Sequence, residues 1–406
     1  MKSTGRRFGK ENEMKKVLIF GAVRHAIEKA KELGYETIVI DQNSTLKTIK
    51  LADKFKCISF ENYDECLQFA KDEEVDGIVN ATEYAVLVSS YVANQMNLPG
   101  IDFEVAKIAK NKYEIRKKMF ENGVTNVPQF FEVESMERLD EIKDKIKFPV
   151  ILKPASGLGS LNVYKINDLN ELYKKMPTVI KESFNEKALV ETFIEGQEYG
   201  VETFVYNKEV HVLAIMKKNM TPLPYRSELG HQVPSGLPNE IEKKIEETVG
   251  QLIKVLGIDC SAVNFDLILS KNNEIYIVDV GARMGGNAIT SHIVPLSKGI
   301  DHVGNIIKYA MNDEDIELKS KDCKCVVTRI LDLSAGTIKK LPDFHKYMDD
   351  EVEEIFFEKK VGDEIEDYIS DAQRCGLIIL KGDDIEELKN KANDIRNKID
   401  EDIIRF

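Results

Sequence analysis

Residues 275–287 read I-Y-I-V-D-V-G-A-R-M-G-G-N. Apolar residues at alternate positions mark a strand with a buried face, and Asp279 stands near its end. The chain then turns through Gly281, Arg283, Gly285 and Gly286, glycines that punctuate regular structure. An acid and a fixed cation four residues apart, at the mouth of a sheet, suit a divalent ion and a phosphate or carboxylate. They do not suit an apolar ligand.

Just upstream, Ser261–Leu269 (S-A-V-N-F-D-L-I-L) reads as a second strand, and Lys271-Asn272-Asn273 is a short polar connection that closes a hairpin. Across an antiparallel pair, Asp266 and Asp279 can share one face and one metal. Two carboxylates with no nearby Cys or His form a hard oxygen site, which favours Mg2+ or Mn2+ over Zn2+. Either acid alone reads more readily as a solvated strand end; the pair, with Arg283 and the glycines, points to a site.

The chain's 406 residues suffice for two or three domains with substantial cores. A formal net charge of −13 argues against a nucleic-acid binder, which needs a basic face. No apolar run approaches the length of a membrane span. The start, M-K-S-T-G-R-R-F-G-K, is basic and lacks the apolar core of a secretory signal, so residues 1–14 read as a flexible arm. Cys57, Cys66, Cys260, Cys323, Cys325 and Cys375 have neither disulfide nor zinc spacing, which fits a reducing cytoplasm. Cys323-Lys-Cys325 reads as strand alternation.

At the N-terminal end, Lys16–Phe20 is a strand closed by Gly21, Ala26, Ile27, Ala30 and Leu33 form a helix face, and Thr37–Ile40 is the next strand, followed by Asp41. This β-α-β unit predicts a parallel sheet. The turn G-A-V-R-H-A lacks the second and third glycines of a dinucleotide loop, which counts against a dehydrogenase. The pattern repeats through Asp76–Asn80 and the helix near Val86–Met96, so an α/β domain spans 15–103.

One helix is predicted from Phe103 to Asn122, with Ile115 and Met119 inward and Lys112 and Arg116 outward. Later, F-P-V-I-L-K-P-A-S-G-L-G-S (148–160) is a strand ending in Lys153 and a small-residue loop whose amides can approach phosphate oxygens. The loop is no Walker loop, and a Gly-Ser hairpin tip is the plain alternative. Ala188–Tyr206 reads as two strands joined at Glu195-Gly196. Thr221–Pro238 is too rich in Pro and Gly for a helix and reads as a long loop carrying Glu228 and His231. Strands near Val326–Leu331 and Gly376–Leu380 and a helix from Asp384 to Ile399 end the chain. No catalytic constellation is legible there, and the segment reads as a lid, a substrate wall or a dimer surface.

The order of these features resembles the ATP-grasp superfamily of carboxylate-amine ligases: an α/β domain, a lysine helix, a strand ending in Lys-Pro with a glycine loop, V-E-x-F-I-x-G-x-E, then two acids and an arginine. Y-R-S-E-L-G-H-Q-V-P-S and V-D-V-G-A-R-M-G-G look most like the L-amino-acid (dipeptide) ligase branch. The resemblance implies an α/β and α+β architecture: an N-terminal Rossmann-like parallel-sheet domain (15–103), a central ATP-grasp module (104–314, lid subdomain about 125–195) and a small C-terminal α+β domain (315–406).

It also implies roles. Lys112 and Lys153 would meet the ATP phosphates, and Ser156, Gly157, Gly159 and Ser160 would form the mobile loop over them. Glu191 would accept from the adenine amino group, the Phe193–Ile194 backbone would bond the adenine edge, and Glu198 would hold the ribose. Asp266 and Asp279 would ligate Mg2+ (or Mn2+), with Glu228 reaching metal and substrate. Arg283 would hold the carboxylate or acyl phosphate. Where the superfamily commonly has Glu-x-Asn, this chain has Asp279-Val-Gly281; water, Glu228 or Asn287 would fill the missing position, or a second metal would bind weakly.

The expected chemistry activates a small carboxylic acid as an acyl phosphate, which an amine then attacks. Arg283 would stabilise the oxyanion. His231 would steer or deprotonate the amine, although a lone His beside Pro and Gly is more often structural.

Overall fold

In the computed structural model, which describes residues 14–157, 162–223, 225–321 and 324–406, the chain divides into two units. One joins the residues up to Gly100 with Val303–Ile316; the other joins Ile101–His302 with Glu317–Phe406.

In the first unit, β1 (Lys16–Phe20), β2 (Glu36–Asp41), β3 (Lys54–Cys57) and β4 (Gly77–Asn80) form a parallel sheet in the order β3-β2-β1-β4. Val17–Phe20 are completely buried, as a strand covered on both faces requires. Helices α1 (Arg24–Glu32), α2 (Tyr63–Asp72) and α3 (Val86–Gln95) supply the cover, and Leu18, Ile38, Ile40, Cys66 and Val88 share its core. Sequence reading missed β3, whose K-F-K-C pattern is that of an exposed edge strand. Asp41 accepts from the Ala22 and Asn43 amides at 2.9 and 2.8 Å, so it fastens its own turn.

The second unit begins with α4 (Phe103–Ala109) and α5 (Lys112–Glu121). The single helix expected over Phe103–Asn122 is therefore two. Asn111 caps α5, its side chain accepting from the Tyr113 and Glu114 amides, and a cap of this kind starts a helix instead of continuing one. Arg116, expected outward, is only 1% exposed.

A four-stranded antiparallel sheet follows, with β5 (Phe130–Val133), β6 (Val150–Pro154), β7 (Tyr164–Ile166) and β8 (Ala188–Thr192) in the order β5-β8-β6-β7. Helices α6 (Met136–Ile142) and α7 (Leu169–Lys181) carry Leu139, Leu172 and Met176 into its core.

The second sheet of this unit has eight strands. β9 (Gly196–Tyr206), β10 (Glu209–Met220), β11 (Glu228–Val233), β12 (Ser261–Ser270) and β13 (Ile275–Gly281) come first; α8 (Asn239–Leu256), with Ile245, Val249 and Leu252 buried, intervenes and ends at left-handed Gly257. Then come β14 (Cys325–Ile330), β15 (Gly336–Lys340), β16 (Val352–Phe357), β17 (Glu364–Ile365), β18 (Gly376–Gly382), the helix Ile385–Asp402 and β19 (Ile404–Arg405). The large sheet runs β13-β12-β9-β10-β11-β14-β18-β16, and β17-β15-β19 form a small one.

Two expectations change here. Glu228–Val233, read as loop, is a strand, and it pairs with β14, so that strands from before and after residue 315 share one sheet. Gly230 permits that junction: at φ +140 a Cβ would stand 2.0 Å from the Thr328 carbonyl oxygen.

Candidate active site

Asp266 and Asp279 are direct partners across the β12/β13 hairpin. Just before Asp279 the ladder slips by one residue, so Val278 has no partner on β12. Such a bulge leaves a backbone group out of the ladder and re-aims the side chain beside it. The Val278 carbonyl accepts from Arg116 Nη2 at 2.8 Å and from Lys153 Nζ at 3.4 Å.

Two lysines hold Asp279 low. Lys112, at the first turn of α5, pairs with Asp279 Oδ1 at 2.9 Å, and its amide donates to the Ala155 carbonyl at the start of the glycine loop. Burial alone would raise the Asp279 carboxyl, but the Lys112 and Lys153 charges outweigh it and keep it below the usual range. Lys153 is 3% exposed and pairs with Glu191 Oε1 at 2.5 Å. Burial pushes the Lys153 ammonium down, against the pull of Glu191.

Glu191 faces inward between two cations, Lys153 and Arg116 Nε at 2.9 Å. Burial would raise its carboxyl; Arg116 and Lys153 together bring it to about 2. The amide of Phe193 donates to the Pro149 carbonyl at 3.1 Å, and Lys165 lies 4.2 Å from the Phe193 ring centre. Glu198 accepts from Arg226 Nε at 2.9 Å. The Ser156 backbone is tied to Ser183 through both its amide and its carbonyl. Gly157 precedes Leu158–Leu161, so the expected loop residues Gly159 and Ser160 lie outside the described residues.

On the other side of Asp266 stands Lys218, 7% exposed, with Nζ 2.8 Å from Asp266 Oδ1 and 3.2 Å from Glu228 Oε2. Burial would lower this ammonium; the two carboxylates raise it instead. Glu228 would be raised by burial, yet His231, Lys218 and the Asn287 amide hold it at about 2. His231 Nδ1 lies 3.3 Å from Glu228 Oε1, and burial keeps the imidazole below its ordinary value.

The turn after β13 is organised from beneath by Glu202 of β9, which is 0% exposed. Its carboxylate accepts from the Gly285 amide at 3.0 Å, Thr290 Oγ1 at 2.6 Å, His302 Nε2 at 3.2 Å and Asn264 Nδ2 at 3.0 Å. Gly285 must be glycine, since a Cβ there would meet Glu202 Oε2 at 2.7 Å. Arg283 rides on this turn with Nη1 on the Met284 carbonyl at 2.8 Å.

Sequence reading missed Lys218, Glu202, Arg116 and Arg226. Signals existed for three of them. Adjacent Lys217 and Lys218 on a strand put one ammonium on each face, Glu202 interrupts an apolar strand, and Arg116 lies one helical turn from Lys112. It also missed the C-terminal residues Tyr368, Asp371 and Arg374, which reach Glu228 and Asn287.

Mg2+ commonly takes one or two protein carboxylates and leaves its other positions to substrate phosphates and water. Asp266 and Asp279 fit that donor set, and among the described residues His, Cys, Asp and Glu side chains nowhere converge in threes.

Two sheets with lysines on one side and paired acids on the other are the arrangement that the ATP-grasp resemblance implies. Residues 146–291 match the ATP-grasp domain, and residues 329–402 match the L-amino acid ligase C-terminal domain 2. The chain therefore carries an ATP-grasp domain and, after it, a domain of the kind that ends L-amino acid ligases.

Among solved structures, L-amino acid ligase from Bacillus licheniformis superposes with a TM-score of 0.87 at 23% identity, over 98% of this chain and 100% of that one. Phosphoribosylglycinamide synthetase from Anaerococcus prevotii gives 0.78 at 28% identity, over 97% and 100%. The carbamoyl phosphate synthase large chain of Thermotoga petrophila is 25% identical over 268 residues; the match spans 64% of this chain and 24% of that protein.

Proposed function

We propose that the protein is an Mg-ATP-dependent ligase that joins a small carboxylic acid, foremost an amino acid, to an amine, releasing ADP and phosphate. The observation that carries this reading is the cross-strand pair Asp266–Asp279 flanked by Lys112 and Lys153, with Arg283 on the next turn. The acid's oxygen takes the terminal phosphoryl group and ADP leaves; the amine then attacks the acyl carbon and phosphate leaves.

Lys112 and Lys153 neutralise the nucleotide phosphates, Lys112 leaving Asp279 as it does so. Asp266 and Asp279, with Glu228 beside them, hold a divalent ion, which when bound neutralises charge on the transferring phosphoryl group. With the Phe193 amide already committed to Pro149, adenine is met by the Phe193 carbonyl and the Ile194 amide, and Glu191 acts chiefly as counter-ion to Lys153. Glu198, steadied by Arg226, takes the ribose hydroxyls. Arg283 grips the acyl phosphate and its oxyanion. A neutral His231 can accept the amine's proton. Ser156 and Gly157, just past β6, lie beside the nucleotide phosphates.

Among the described residues no helix is long and apolar enough to cross a membrane, and the described cysteines are all free, which supports a cytoplasmic setting.

The 28% identity to phosphoribosylglycinamide synthetase favours a second reading, a nucleotide-precursor or carboxylating enzyme. A non-catalytic nucleotide-binding protein is the remaining alternative. Phosphate release measured over amino acids, bicarbonate and sugar phosphates separates the three. Asp279→Asn and Arg283→Ala are expected to abolish amine-dependent ADP release with the fold intact; full turnover in both overturns the ligase reading.

A further inference from the structure

Arg116 rides on α5 one helical turn after Lys112, is buried, and forks between two sheets. Its Nε donates to Glu191 Oε2 of β8, in the four-stranded sheet, at 2.9 Å. Its Nη2 donates at 2.8 Å to the Val278 carbonyl of β13, the edge strand of the eight-stranded sheet. One planar group therefore spans from an acid of the small sheet to the backbone of the large one. The same stretch of chain is fastened on both sides of this fork: Lys112 pairs with Asp279 Oδ1, and Thr125 Oγ1 donates to the Ile275 carbonyl at 2.8 Å.

Val278 is the residue that the ladder leaves out. Strand β12 sets its neighbours, with Leu267 opposite Ile277 and Asp266 opposite Asp279, but the carbonyl between them is bonded to Arg116 and Lys153 instead. That carbonyl and the Asp279 nitrogen belong to one rigid peptide plane. Whatever holds the carbonyl therefore sets the direction in which Asp279 leaves the strand.

Stability alone does not account for the fork. Arg116 Nη1 is buried without a hydrogen-bond partner among the described residues, and a donor left in that state costs free energy. Packed apolar groups often replace a buried ion pair without loss. Lys112, Arg116 and Lys153 also set three cations against two acids, Asp279 and Glu191. Local rules are broken in this way where a site needs a particular geometry.

We infer that Arg116 is a positioning residue for the divalent-ion site: by holding the Val278 carbonyl against Glu191, it aims the Asp279 carboxylate at the ion. The inference deepens the ligase reading and rests on its assignment of Asp279 to the ion. Buried as it is, Arg116 meets neither ion nor nucleotide itself. Lysine does not substitute for it, because an ammonium is a point charge on a flexible stem, whereas the guanidinium presents donors at a fixed separation.

The test uses the full chain. Mn2+ is titrated into an equimolar complex of protein and ADP with free Mn2+ read by electron paramagnetic resonance, and ADP binding in EDTA is read by calorimetry. Arg116→Lys is expected to weaken Mn2+ binding by about tenfold or more, while the Kd of metal-free ADP stays within about twofold. Arg116→Gln, which leaves Glu191 to Lys153, is expected to do the same. Asp279→Glu should weaken Mn2+ by itself, and its combination with Arg116→Lys should lose far less than the two single losses together, because both act through one carboxylate.

Mn2+ weakened by Asp279→Glu but not by either Arg116 variant overturns the positioning role and leaves the ligase reading standing. Losses that simply add in the double variant also overturn it, since Arg116 would then act elsewhere than through Asp279. Equal Mn2+ affinity in wild type and Asp279→Glu removes the metal assignment, and the inference falls with it. Loss of the fold in both Arg116 variants, seen by circular dichroism, makes the residue a structural tie and refutes the proposal.

Discussion

Asp266 and Asp279 face each other across β12 and β13, and each is clasped by a lysine from another element: Lys218 at 2.8 Å and Lys112 at 2.9 Å. On the proposed reading, nucleotide and metal exchange one set of charges for another at the same four groups. Phosphates take Lys112, a divalent ion takes the carboxylates, and neither acid is ever left unpaired in a partly buried setting.

The divalent ion gives the first prediction. Asp266→Asn and Asp279→Glu should each raise the Mg2+ concentration for half-maximal ADP release by about tenfold or more. EDTA should stop ADP release, and Mn2+ should restore it. The same Mg2+ requirement in wild type and both variants would count against the pair as ligands.

Glu191 predicts an acid-sensitive stability. Its carboxyl, held at about 2 in the fold against 4.5 for a free glutamate, contributes stability that is full above pH 4.5 and is lost as pH falls toward 2. The contribution is about 3 kcal/mol. Glu191→Gln leaves Arg116 and Lys153 buried without their acid, a loss of about 3–5 kcal/mol at neutral pH. Urea unfolding at pH 7 and pH 3 should show the variant weaker at 7 and lacking this part of the acid slope; equal stability of the two proteins at pH 7 would refute it.

Lys218 should govern the acid limb of activity. With Lys218→Met, burial is no longer opposed by that ammonium, so the Glu228 carboxyl rises from about 2 and protonates at higher pH. The acid limb of the kcat profile should move up by about 1–2 pH units. A limb that stays in place would show that Lys218 does not set the charge of Glu228.

Glu202 should matter through the turn it carries. Glu202→Gln sets an NH2 group against the Gly285, Thr290, His302 and Asn264 donors, costing about 1–3 kcal/mol of stability. By loosening Arg283 it should lower kcat about tenfold while KM for ATP changes little. Thermal unfolding and steady-state kinetics test the two halves separately, and a wild-type kcat would remove the positioning role.

Sequence alone was enough to place the N-terminal parallel sheet, the Ser261–Gly281 hairpin, the face shared by Asp266 and Asp279, and the ATP-grasp resemblance. Those readings depend on alternation, turn residues and spacing, which are written within a dozen neighbouring positions. Tertiary structure alone decided that Arg116 is buried on Glu191, that Val278 bulges to receive it, that Glu202 anchors the arginine turn, and that Asp371 meets Glu228. Each of these joins residues far apart in the chain. A buried charge is tolerable only where the register of other strands delivers its counterpart, and no local pattern records that delivery.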